Sequence, residues 1–191
     1  FLAAAGHDLR QPLAAANLFV DALKLTEMTP CQDEIIKRLD QAMVTFNGLL
    51  DALLNVSKLD AGMIKPEYSS IRVTEIFNWL EQNFAPMAGE KNLNFRLYFP
   101  MKEVLVVHSD IGLLKSILMN LVSNAVKFTA SGTILVSARR RGECALIQVW
   151  DTGMGIPDEH GKRIFDEFYQ INNPQRDRTR GLGLGLSIVK R

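Results

Sequence analysis

The chain has 191 residues, and its 22 basic and 21 acidic side chains leave a formal net charge of +1, which gives no electrostatic footprint for nucleic acid or an anionic membrane surface. Cys31 and Cys144 lie far apart in no metal-type spacing, so two unpaired thiols in a reducing compartment, the cytoplasm, are the simplest expectation. No apolar run approaches the ~20 residues a membrane helix needs and no signal peptide is evident, so any membrane link is expected to lie in segments outside this chain, which lacks a starting Met and reads as a fragment.

In chain order, Leu2, Leu9, Leu13, Ala16, Val20 and Leu23 recur at spacings of seven, four and three, a narrow apolar stripe on a first helix. Met28 to Asp33, with Pro30 inside it, interrupts the pattern. Ile36, Leu39, Met43, Phe46, Leu50 and Leu53 then resume it at alternating spacings of three and four, which predicts a helical hairpin with a coiled-coil-like seam. Two helices alone leave apolar faces wet. Pairing two hairpins closes a four-helix bundle, so a homodimer is expected.

Gly62 stands where a C-cap would end the second helix, and residues 63–69 read as a linker. Beyond it the pattern predicts a helix over 73–89, strands over 94–99 and 104–108, a helix over 110–128, and strands over 133–139 and 145–150. The fold class is therefore a helical hairpin over 1–62 followed by an α/β sandwich over 70–191, with helices on one face of a mixed sheet.

His7 falls nearly opposite the apolar stripe on a helical wheel, with Gln11 one turn away on the same face. A lone helical histidine is ordinarily a solvated one. Asp8 beside it is able to accept the Nδ1 proton and leave Nε2 as the nucleophile toward a phosphoryl group, and an imidazole of pKa ~6.5 needs no elaborate activation at pH 7. Pro12 removes an amide donor inside the helix at a cost of ~3 kcal/mol, either as a hinge under the nucleophile or as a static kink. Ala14 and Leu18 make the His7 face partly apolar, which suits a docking partner or the chain's own second domain.

The predicted 110–128 helix places Asn120 and Asn124 one turn apart, with Lys127 three residues on and Phe128 after it. A side-chain amide oxygen is a hard ligand for Mg²⁺ and a lysine meets phosphate oxygens, although two Asn and a Lys on a helix are usually polar surface. Asp151-Thr152-Gly153-Met154-Gly155 follows a strand. Asp151 is placed to accept from an adenine amino group while Gly153 and Gly155 admit close backbone approach; alone, the pattern is an ordinary turn. Gly181-Leu182-Gly183-Leu184-Gly185-Leu186 opens a helix, as phosphate-binding backbones do, and no strand directly precedes it, which excludes a dinucleotide-binding Rossmann unit. Between the glycine motifs, residues 172–180 read as a polar lid whose arginines, Arg178 among them, reach for phosphates, or as a solvated loop.

Taken in order, these segments resemble the catalytic core of two-component sensor histidine kinases over essentially the whole chain. Residues 1–13 resemble the H box and 120–129 the N box. Residues 151–155 resemble the first G box, Phe165-Asp166-Glu167-Phe168 the F box, and 181–186 the second G box. The resemblance implies a dimerisation and phosphotransfer hairpin and a Bergerat-type ATP-binding domain of the GHKL class. It implies that His7 takes the γ-phosphoryl group of Mg-ATP, with Asp8 assisting, and passes it to an aspartate of a response-regulator receiver domain. It further implies that Asn124 holds the metal and Asp151 reads adenine. Two positions depart from the family pattern: Gln11, where Thr or Asn usually orients water for dephosphorylation, and Leu182, where Thr is frequent. The family's domain also continues with a further strand, so the second domain is expected to be incomplete here. The competing readings are a GHKL ATPase, which would need a catalytic Glu where Asn120 stands, and a nucleotide-binding scaffold without kinase activity.

Overall fold

The computed structural model describes residues 2–99, 104–171 and 183–191, with side chains from residue 11 onward except those at 49 and 52. It separates into two compact units, Phe1–Ile64 with Arg191, and Lys65–Lys190.

The first unit is the expected hairpin of α1 (Leu2–Lys24) and α2 (Pro30–Asp60). Helix α1 continues through Pro12. Helix α2 begins at Pro30 rather than beyond it, because a proline at the first helical position loses only a donor that has no partner there. Thr29 closes a capping box with Gln32. At the other end Gly62, at φ 62°, lets the Met63 amide donate to the Lys58 carbonyl at 3.0 Å and its own amide to Leu59 at 3.0 Å, a Schellman termination.

The predicted stripe divides. Leu13 packs with Leu50, Leu54 and Met43, and Val20 and Ile36 are also buried. Leu23, Leu39, Phe46 and Leu53 are left 41–50% exposed, so a single hairpin buries only part of its seam.

The second unit runs β1 (Ser69–Arg72), α3 (Val73–Glu90), β2 (Asn94–Tyr98), β3 (Val106–Ser109), α4 (Ile111–Phe128), β4 (Thr133–Arg141), β5 (Cys144–Asp151), two short 3-10 turns at Asp158–His160 and Arg163–Phe165, and α5 (Gly185–Lys190). β1 falls partly in the expected linker. Its strands form two sheets rather than one: β1 pairs antiparallel with β3, while in the mixed three-stranded sheet β4 lies between β2, parallel, and β5, antiparallel. Alternation puts Ile134, Val136 and Ala138 of β4 in one core cluster with α3, whose Phe77, Phe84, Ile76 and Leu80 are fully buried, and with Leu118, Val122, Ala125 and Val126 of α4. Each such aromatic or branched side chain contributes about 1.5–3 kcal/mol by burial. The opposite face carries Tyr98 and Trp150, both exposed.

Contrary to the expectation from the sequence, α4 is, among the described helices, one whose 18 residues are apolar enough to cross a membrane. Its Leu118, Val122, Ala125 and Val126 edge lies in the core cluster of this unit.

Candidate nucleotide site

Helix α4 owes its start to Asp110, whose side chain caps the Leu113 amide at 2.9 Å and also accepts from the Glu67 amide at 2.8 Å. These two backbone donors, Glu67 first, hold the Asp110 carboxyl below its usual range. Helix α4 then forms a wall shared by both glycine motifs.

At its C-terminal end, Gly153 lies so close to Phe128 that a Cβ on it would stand 2.6 Å from the Phe128 carbonyl oxygen and 2.8 Å from Asp151 Oδ1. The Gly153 amide donates to that same Oδ1 at 2.9 Å, so the Asp151 carboxylate is aimed by the turn that follows it. The turn is tied to β4: Thr152 Oγ1 accepts from the Thr133 amide at 3.0 Å and donates to the Ser131 carbonyl at 3.4 Å. Gly155, at φ 68°, has open space around its Cβ position.

About two turns toward the helix N-terminus, Asn120 meets the second motif. Its Nδ2 donates to the Ser116 carbonyl at 2.9 Å, and its Oδ1 would lie 2.7 Å from a Cβ on Gly185. Leu184 is buried and Leu186 half-buried. The Leu184 carbonyl accepts from the Ser187 hydroxyl at 2.8 Å and the Ile188 amide at 3.1 Å, which starts α5. Gly183, at φ 75°, accepts on its carbonyl from the Phe168 amide at 3.0 Å.

Asn124 thus sits on α4 between the two glycine contacts, half-buried. Lys127 Nζ lies 4.8 Å from the centre of the Phe128 ring. Of the predicted positions, Phe128, Asp151 and Gly153 meet at one end of α4 and Asn120 meets Gly185 about two turns away along it; Lys127 lies beside Phe128, and Gly155 follows two residues after Gly153. Arg178, Gly181 and Leu182 lie outside the described residues, as do the side chains of His7 and Asp8, whose backbone belongs to α1. Gln11 is exposed on the same helix.

The donor set suits a bound nucleotide. The glycines hold space that a Cβ would fill on either side of Asn124. The Thr129 hydroxyl, at the end of α4, is buried with no hydrogen-bond partner among the described residues, a donor the sequence reading gave no role. Among the described residues no group of three or more His, Cys, Asp or Glu is arranged to hold a metal, so an ion here would take one amide oxygen from the chain and the rest of its ligands from phosphate and water, the usual habit of Mg²⁺.

Residues 1–62 match the family model of the His Kinase A (phospho-acceptor) domain, and residues 109–191 that of the histidine kinase-, DNA gyrase B- and HSP90-like ATPase. The chain is 29% identical over 191 residues to the sensor histidine kinase RcsC of Escherichia coli K12, spanning 20% of that protein. It is 33% identical over 190 residues to the aerobic respiration control sensor protein ArcB homolog of Haemophilus influenzae, spanning 58% of it. Among solved structures, full-length ShkA in complex with AMPPNP superposes over 99% of this chain with a TM-score of 0.86 at 28% identity, this chain covering 39% of that one. The chain belongs to the histidine kinase family, carrying its phospho-acceptor hairpin and its ATP-binding domain in one polypeptide.

Proposed function

We propose that the chain autophosphorylates on His7 from Mg-ATP and passes the phosphoryl group to an aspartate of a response-regulator receiver domain, separate or fused. The observation that carries this reading is the α4 wall, against which Gly153 and Gly185 of two distant motifs both pack, in a chain whose N-terminal hairpin bears a histidine matched to a phospho-acceptor family.

Asp151 would accept from the adenine amino group, its Oδ1 held in place by the Gly153 amide. Asn124 would ligate the metal, with Asn120, Lys127, Arg178 and the backbone of Gly183 to Leu186 around the phosphates. Mg²⁺, when bound, neutralises charge that develops on the phosphates. Asp8 would accept the Nδ1 proton of His7, so that Nε2 forms the P–N bond as the P–O bond to the departing ADP breaks.

The half-exposed seam residues support a homodimer through the hairpin. Cys31 and Cys144 are both free, which supports a cytoplasmic setting for this core. The complex of the histidine kinase ThkA with its response regulator TrrA supports the receiver domain as the class of partner.

The test is incubation of the chain with γ-labelled Mg-ATP. Acid-labile, base-stable label that is absent from His7→Gln is the expected outcome, and His7→Gln should still bind nucleotide. Asn124→Ala should lose both label and Mg-nucleotide affinity. ATP consumption without label would replace this reading with a GHKL ATPase, and binding with neither would make the chain a nucleotide-binding scaffold.

A further inference from the structure

We infer that His160 is a positioning residue for the second glycine motif, acting through Tyr169; the inference rests on the nucleotide-binding reading above and goes beyond it in naming what holds that motif in place.

His160 closes the first 3-10 turn with its side chain only 22% exposed. Its Nδ1 lies 2.7 Å from the Tyr169 hydroxyl, and Glu159 Oε1 stands 3.3 Å from Nε2. The carboxylate favours a ring proton on Nε2, which leaves Nδ1 to accept from the hydroxyl. The Tyr169 ring is held on a second side by the Arg163 guanidinium, 4.3 Å from its centre, a cation–π contact. Tyr169 is therefore fixed by its tip and by its face.

What it fixes is the backbone beside it. Phe168 has φ 60°, a left-handed conformation that a phenylalanine keeps only where its surroundings impose it. Its own ring is 53% exposed and cannot supply that hold. The next residue can. In this conformation the Phe168 amide donates to the Gly183 carbonyl at 3.0 Å, and the chain presses so close that a Cβ on Gly183 would stand 2.6 Å from the Tyr169 carbonyl oxygen and 2.9 Å from the Phe168 carbonyl carbon. Two residues later Gly185 abuts Asn120. The link runs from imidazole to phenol, from phenol to backbone, and from backbone to the glycine loop that meets α4.

The experiment uses the full chain as wild type, His160→Ala, Tyr169→Phe, the double variant and His160→Asn, whose Oδ1 stands near the place of Nδ1 and is able to accept the same bond. Three quantities are read: hydrogen exchange of the Phe168 amide without nucleotide, AMPPNP affinity by titration calorimetry, and the labelling rate at saturating ATP. His160→Ala and Tyr169→Phe are each expected to speed Phe168 exchange and weaken AMPPNP about three- to tenfold, the span one lost hydrogen bond allows. The double variant should be no worse than either single, the saturating rate should hold, and His160→Asn should recover exchange protection and affinity. Unchanged exchange and affinity in both single variants, additive losses in the double, or a His160→Asn as weak as His160→Ala would overturn the inference. A wild-type chain that binds no AMPPNP would instead overturn the nucleotide reading, while Phe168 exchange would still judge the clasp.

Discussion

Asn120 Oδ1 occupies the space beside Gly185 that a methyl group would need, 2.7 Å from its Cβ position, and Asn120 is not free to swing away because its Nδ2 is bonded to the Ser116 carbonyl. The contact ties the first turn of α5 to the middle of α4. Gly185→Ala should therefore cost about 1–3 kcal/mol of stability, the usual penalty of overpacking. Adding Asn120→Ala should return part of it, because the obstructing amide is gone. Urea unfolding of the two single variants and the double would show this as a coupling of opposite sign to the single effects. Equal, additive losses would mean that the two side chains do not meet.

Gly153 and Gly155 are two residues apart and are expected to respond to alanine in different ways. At Gly153 a Cβ would strike the Phe128 carbonyl oxygen at 2.6 Å and the Asp151 carboxylate at 2.8 Å. Backbone cannot give way as a side chain can, so the turn must move and take Asp151 with it. Gly155 has nothing within 4 Å of that position but a φ of 68°; alanine there pays only the left-handed penalty of about 1–2 kcal/mol. Gly153→Ala is thus expected to lose most AMPPNP binding, and Gly155→Ala to lower stability while keeping affinity within about threefold, near 0.7 kcal/mol. Calorimetric titration and thermal melts of both variants separate the two effects.

The sequence announces most of this architecture because helices α1 to α4 and strands β2, β4 and β5 carry strong apolar periodicity. It passes over β1, where Ile71 is the one buried side chain in four residues and no alternation can be read. The positions of Asn120, Asn124, Asp151 and the glycines are legible as motifs, yet that α4 joins both glycine sites is not, since Asn120 and Gly185 are distant in the chain. The Asp110 contact to Glu67, 43 residues away, and the His160–Tyr169 bond are invisible for the same physical reason: single polar contacts between loops leave no periodic trace.

Asp110 gives a pH dependence with a definite sign. Its carboxyl is held below the ordinary aspartate range, first by the Glu67 amide and then by that of Leu113, so the folded form binds its proton less readily than the unfolded one. The stabilisation is present above the unfolded pKa of about 3.9 and is lost as pH falls through the lower folded value. Asp110→Asn keeps a good N-cap but cannot titrate. Urea midpoints of the wild-type chain should therefore fall more steeply below about pH 4 than those of Asp110→Asn. Parallel curves would show that the charge is not engaged.

Leu39, Phe46 and Leu53 repeat every seven residues along α2 and remain 41%, 50% and 46% exposed, while Ile36 and Leu50 of the alternate set are buried within the hairpin and Met43 packs beside them. One set closes the hairpin on itself; the other is left with apolar area that a second hairpin would cover at about 25 cal/mol per Å². Phe46→Asp places a charge in the middle of that stripe, where it would have to be desolvated on association. It should shift the chain from dimer to monomer at micromolar concentration in sedimentation velocity, with the second unit's fold and nucleotide affinity unchanged. Leu50→Asp, by contrast, should unfold the hairpin itself, because Leu50 is buried against Leu13 and Leu54. If Phe46→Asp sediments as the wild type does, the exposed stripe is not the dimer seam.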